Sequence, residues 1–138
     1  GMEQSRRTSP YHAAWTGSVD ADLAEAEAAI GARDFQKLAD VSEHSCLKMH
    51  ADMLATRPQL IYWSAATLAA IHCVRELREK AALPVFFTVD AGPQVKAVCL
   101  PAAAAQVKAA LAAVPGVLDV LESGLGAGAE IVAGGSPR

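Results

Sequence analysis

Pro84-Val85-Phe86-Phe87-Thr88-Val89-Asp90-Ala91-Gly92-Pro93-Gln94-Val95-Lys96-Ala97-Val98-Cys99-Leu100 is the stretch from which the fold of this chain is read. Val85 to Val89 is β-branched and aromatic, a composition that suits a pleated, half-buried strand. Ala91-Gly92-Pro93 interrupts it with turn residues, and Val95 to Leu100 alternates weakly as a returning strand. A hairpin is expected. Asp90 stands at the tip of its first strand, held on a rigid element yet exposed. Gly92 tolerates a positive φ and leaves room for backbone to approach a ligand, while Pro93 stiffens the turn.

Upstream the chain reads helical. After an irregular start, Asp20 to Ile30 places Leu23, Ala26 and Ile30 at helical spacing, with Gly31 at the C-terminal end. Asp34 caps a second helix, in which Phe35, Leu38, Val41, Ser45, Met49 and Met53 fall near one face, and Arg57-Pro58 ends it. Ser64 caps a third, carrying Leu68, Ile71, Val74 and Leu77. Downstream, Pro101 opens a helix faced by Val107, Ala110, Leu111 and Val114 and stopped by Pro115-Gly116. Val117 to Leu121 and Ala129 to Ala133 are two further strand candidates, joined by Gly124-Leu125-Gly126-Ala127-Gly128. This order predicts an α+β two-layer sandwich: a four-stranded, mainly antiparallel sheet with helices packed on one face. One domain over residues 1–133 is expected, with 134–138 as a frayed tail.

Composition narrows the function. At 138 residues the chain is large enough to bury its own core. Its hydrophobic fraction of 52% is mostly alanine in charged helical patterns, and no apolar run approaches the roughly 20 residues of a membrane span. Gly1-Met2-Glu3-Gln4-Ser5-Arg6-Arg7 has no apolar run behind its arginines, so no signal peptide is read, and a cytoplasmic protein is expected. Net charge is −3 with scattered basic residues and 5% aromatics, which offers no stripe or stacking platform for nucleic acid. Cys46, Cys73 and Cys99 form no CxxC or Cys/His ligand pattern, so reduced, mostly buried cysteines and no metal site are expected.

Taken alone, Asp-x-Gly-Pro is ordinary turn chemistry. Its surroundings give it more weight. Met2, Thr8-Ser9-Pro10-Tyr11, Ala32-Arg33-Asp34-Phe35, Lys48-Met49-His50-Ala51, Arg57-Pro58-Gln59-Leu60-Ile61-Tyr62 and Phe87-Thr88-Val89-Asp90-Ala91-Gly92-Pro93-Gln94-Val95-Lys96 follow one another in this order. Together they resemble the C-terminal domain of the diphosphomevalonate decarboxylases, of the GHMP kinase superfamily, from Gly1-Met2 to about Ile131. The most specific block of that family is Tyr/Phe-Thr-x-Asp-Ala-Gly-Pro-Asn, and Gln94 in the place of its asparagine is the main departure.

The resemblance implies a ferredoxin-like fold and a carboxy-lyase of isoprenoid biosynthesis. ATP-dependent decarboxylation of mevalonate diphosphate would yield isopentenyl diphosphate, ADP, phosphate and CO2. It makes Asp90 the catalytic base on the 3-hydroxyl, with Met2, Ala91, Gly92 and Gln94 beside the substrate. ATP and Mg2+ belong to the complete enzyme; no cofactor is expected in this chain alone, because the family's phosphate loop lies in an N-terminal domain absent from this sequence. The missing domain is thus the first expected partner, the chain by itself is expected to be inactive, and homodimerisation is an expectation from the family only. Gly124 to Gly128 is a weak phosphate-loop candidate, since it leads into a strand candidate instead of a helix.

Other candidates weigh less. His50 reads as a core histidine with a partner, Lys96 as a modest anion contact beside the turn, and Arg6 and Arg7 as a solvated leading segment. Two rival readings stand: a related mevalonate phosphate decarboxylase or mevalonate 3-kinase, and a standalone non-catalytic module that binds a ligand or partner.

Overall fold

Val85–Val89 (β1) and Val95–Cys99 (β2) form the expected antiparallel hairpin in the computed structural model, which describes residues 1–131. The register pairs Val85 with Cys99, Phe87 with Ala97 and Val89 with Val95. Strand alternation sends these six side chains to one face. Val85, Phe87 and Val89 are buried there, with Val95, Ala97 and Cys99 partly buried against them.

Five α-helices surround the hairpin among the described residues: α1 (Met2–Thr8), α2 (His12–Ala32), α3 (Phe35–Leu54), α4 (Ala65–Ala81) and α5 (Ala104–Ala112). A 3-10 turn, Pro101–Ala103, leads into α5. The core-facing side of the hairpin packs on α4 and α5 through Ala70, Ile71, Val74, Val107 and Leu111. Each fully buried valine or phenylalanine here contributes roughly 1.5–3 kcal/mol. No helix among the described residues is long and apolar enough to cross a membrane.

Local chemistry starts and stops these helices largely as expected. Asp34 accepts the Lys37 amide at 3.0 Å to cap α3, and Ser64 and Thr67 cap each other across the first turn of α4. The first helical segment differs from its expectation. α2 begins eight residues before Asp20 and continues through Gly31; Arg33, at φ 55° in the left-handed region, ends it. The start is not irregular either, because α1 is clipped to the end of α3. The Ser5 and Thr56 hydroxyls bond at 2.9 Å in a buried contact, and the Thr8 hydroxyl accepts from the Arg57 amide at 2.8 Å.

α3 does not lie on a face of the hairpin. It runs along the outer edge of β1 and supplies side chains where a further strand would pair. Glu43 accepts from the Phe87 amide at 3.1 Å. The Cys46 thiol accepts from the Val89 amide at 3.2 Å and donates to the Val89 carbonyl at 3.3 Å. Arg78 of α4 reaches the Val85 carbonyl at 3.4 Å while gripping Glu43 with two bonds of 2.6 and 2.8 Å. A buried strand edge left unpaired would cost about 1–3 kcal/mol for each orphan group, and this comb of side chains removes the cost.

Where a four-stranded sheet is expected, the described residues form a sheet of two strands. Residues 117–121 and 129–131 form no ladder, and Val132 and Ala133, like the expected tail 134–138, lie outside the described residues. The outer edge of β1 is closed by α3, and an apolar segment that pairs with no strand cannot satisfy its backbone as one. Leu118, Leu121, Leu125 and Ile131 are accordingly fully or almost fully exposed.

Candidate functional site

The hairpin turn is held from both sides. Val89, the last residue of β1, is buried and bonded at its backbone to Cys46, and its carbonyl also accepts from His50 Nε2 at 2.9 Å. A carbonyl only accepts, so His50 carries its proton on Nε2. The Trp63 indole N–H, 3.4 Å from that nitrogen, is then a ring contact, with centroids 4.6 Å apart. Burial pushes the Cys46 thiol above its ordinary value, which keeps the hydrogen it donates to Val89. On the far side of the turn, the Thr67 hydroxyl donates to the Pro93 carbonyl at 2.8 Å.

Asp90 leaves this clamp with its side chain 74% exposed. Its Oδ2 accepts from the Lys96 ammonium. It also borders a cleft of about 460 Å³ between α2, α3 and β1, lined by Trp15, Val19, Leu23, Met49, Phe86 and Thr88 among others. That lining carries carboxylates from Asp22 and Asp90 but no Lys or Arg, so the cleft does not suit a diphosphate.

The turn glycine works differently from its expectation. Gly92 is not in the left-handed region, where Gly116 is the one glycine among the described residues. A Cβ on Gly92 would sit 2.5 Å from Oε1 of Gln94, whose side chain folds back over the turn. Gly92 therefore makes room for the amide at the position where the family pattern has asparagine. Ala91 is exposed beside Asp90.

Met2 opens α1 and is 44% exposed. Its neighbour Gly1 lies under Tyr62, where a Cβ would stand 3.3 Å from the Tyr62 hydroxyl. Tyr62 precedes the Trp63 that packs on His50, which in turn holds Val89. The start of α1 and the Asp90 turn thus connect through one run of contacts, without a direct bond between Met2 and Asp90 among the described residues. His50 is a partnered core residue, 3% exposed. Arg6 and Arg7 pair with Glu3 at 2.8 and 2.6 Å on the exposed face of α1, and their hydrogen bonds hold Glu3 down at about 2. Sequence reading missed Thr67, Glu43 and Cys46 as supports of the turn. Ser64 reads as a helix cap, but nothing in the sequence announces the bond of Thr67 to Pro93.

Among the described residues no three His, Cys, Asp or Glu side chains come together as a metal site. Gly124 to Gly128 leads into coil, not a helix.

An α+β domain that presents a clamped, outward-facing aspartate at a hairpin turn is the class that fold and site define. Residues 1–124 match the family described as the mevalonate 5-diphosphate decarboxylase C-terminal domain. The chain is 36% identical over 95 residues to the diphosphomevalonate decarboxylase ERG19 of Gibberella zeae, covering 67% of this chain and 25% of that protein. It is 29% identical over 77 residues to the phosphomevalonate decarboxylase of Haloferax volcanii, covering 56% and 24%. A solved structure of the mevalonate diphosphate decarboxylase from Enterococcus faecalis superposes with a TM-score of 0.76 at 34% identity, over 80% of this chain and 34% of that one. This chain belongs to the mevalonate diphosphate decarboxylase C-terminal domain family. It spans about a quarter of the length of the curated relatives it matches.

Proposed function

We propose that this chain serves as the C-terminal half of an ATP-dependent diphosphomevalonate decarboxylase, with Asp90 as general base on the 3-hydroxyl of mevalonate diphosphate. The observation that carries the reading is the clamp on Val89 and Pro93, which fixes the backbone on both sides of an aspartate whose carboxylate stays open. A positioned base of this kind contributes about 10²–10⁴ in rate.

The chemistry requires such a group. A tertiary alcohol is a poor nucleophile until its proton is taken, and hydroxide is a far worse leaving group than phosphate. Asp90 accepts the hydroxyl proton as the oxygen takes up a phosphoryl group; loss of phosphate with CO2 then leaves the alkene. ATP would supply the phosphoryl group. In this reading the chain's share of the reaction is the proton, and the nucleotide would be held by a further domain. Met2, the exposed Ala91, the half-buried Gly92 and the Gln94 amide are the groups we place beside the substrate.

The four-stranded sheet belongs to the same reading. Phe87 and Val89 turn their amides toward α3, so Phe86 and Thr88 face β2, and Val95, Ala97 and Cys99 point their backbone groups to the opposite edge. Among the described residues that edge carries no partner. It is the edge on which the two further strands of a four-stranded sheet would join.

A second reading, decarboxylation of mevalonate phosphate, is favoured by the likeness to the Haloferax volcanii protein. CO2 release from each substrate by the two-domain enzyme containing this chain separates the two. The diphosphate is expected to give the higher kcat/KM, and a preference for the monophosphate would replace the first reading with the second.

A further inference from the structure

Asp90 and Lys96 share one face of the hairpin. Val85, Phe87 and Val89 point to the core, so Phe86, Thr88 and Asp90 project the other way, as do Lys96 and Val98 across from them. Thr88 stands directly opposite Lys96. Lys96 is therefore the diagonal neighbour of Asp90, a separation that a long side chain spans. Its ammonium donates to Oδ2, while Oδ1 has no hydrogen bond among the described residues. Gln94, which faces Asp90 across the turn, does not compete, because its amide oxygen is folded over Gly92. The cleft on the other side of Asp90 brings no cation to it.

We propose that Lys96 is a positioning residue for Asp90, holding one carboxylate oxygen so that the other is presented to the substrate hydroxyl. This rests on the reading of Asp90 as the base. A general base has to sit within about 2.6–3.2 Å of the group whose proton it takes. The backbone clamp fixes where the Asp90 side chain starts, but not where its carboxylate points. With 74% of that side chain exposed, an unheld carboxylate would spend most of its time misaligned, and misplacement by about 1 Å costs on the order of a hundredfold in rate. Fold stability is not the pair's role, since exposed ion pairs contribute little to it and the hairpin is already closed by its ladder and by α3.

The test is steady-state CO2 release by the two-domain enzyme containing this chain, as wild type, Lys96→Met, Lys96→Arg, Asp90→Asn and the Asp90→Asn/Lys96→Met double variant, with a thermal melt of each. Lys96→Met is expected to lower kcat about ten- to a hundredfold, with KM for mevalonate diphosphate within about twofold and Tm unchanged. Lys96→Arg is expected to restore most of the rate, and the double variant to be no slower than Asp90→Asn alone. The proposal is overturned if Lys96→Met keeps its kcat, if only KM rises (which would make Lys96 an anion contact), or if the loss persists in the Asp90→Asn background. If Asp90→Asn itself costs less than about tenfold, the base assignment falls and Lys96 with it. A silent Lys96→Met beside a dead Asp90→Asn sinks the Lys96 proposal alone.

Discussion

Thr67, in the first turn of α4, donates its hydroxyl hydrogen to the Pro93 carbonyl at 2.8 Å and accepts the Ser64 amide at 3.1 Å. One buried hydroxyl, 2% exposed, thereby caps a helix and fastens the turn that carries Asp90. Thr67→Val keeps the shape and removes both bonds. A loss of about 1–2 kcal/mol is expected from the denaturant midpoint, with the slope of the transition unchanged. A midpoint equal to that of the wild type would show that the turn is held without α4.

Glu43 is the hinge of the other side. It meets both terminal nitrogens of Arg78 and accepts from the Phe87 amide, with its side chain 13% exposed. Hydrogen bonding to Glu43 in turn raises Arg78 above the ordinary guanidinium value. Glu43→Ala strands a charge and a strand amide at once, so destabilisation of about 2–4 kcal/mol is expected by equilibrium unfolding. In an Arg78→Met background the same substitution should cost measurably less, since the two residues share one network. Additive losses would contradict the shared network.

How much of this was legible depended on range along the chain. The hairpin and the Asp34 and Ser64 caps are local patterns, and the structure has each where its residues place it; the expected core face of α4 holds at Ile71 and Val74 but not at Leu68, 45% exposed, and Ser45 and Met49 of α3 line the cleft instead. The first helix shows the limit: Leu23 and Ile30 have helical spacing, yet they are 57% and 63% exposed, so their apolar pattern did not mark a core face. α1 was illegible because Ser5 and Thr56 hold it through a contact spanning 51 residues. The strand candidates at 117–121 and 129–133 rest on β-branched and apolar composition alone. Composition cannot say whether an edge is free, and Glu43, Cys46 and Arg78 had closed the one on β1. The Asp90 block was legible as a motif, whereas its supports, Thr67 and Cys46, became visible only once the chain was folded.

A pH-dependent contact joins α2 to α3. Lys48 donates to Asp22 Oδ1 and to the Ser18 hydroxyl, both at 2.7 Å. Asp22 Oδ2 lies 2.5 Å from the same ammonium but off the hydrogen-bond direction, an ionic contact without a second hydrogen bond. The Lys48 bond holds Asp22 below its ordinary value of 3.8. A lowered folded-state value means that the stabilisation is complete above 3.8 and is lost as the pH falls through the lowered value. Asp22→Asn should therefore be less stable than wild type by about 1–2 kcal/mol at neutral pH, with the gap narrowing on acidification. A gap independent of pH would mean that the pair does not titrate with folding.

The most direct test of the central claim is turnover by the two-domain enzyme after Asp90→Asn, which removes the charge and keeps the size. CO2 release from mevalonate diphosphate should fall by about 10²–10⁴, while ATP binding and the thermal melt stay as in the wild type. Turnover within about tenfold of wild type would show that Asp90, however firmly Val89 and Pro93 are held on either side of it, is not the base.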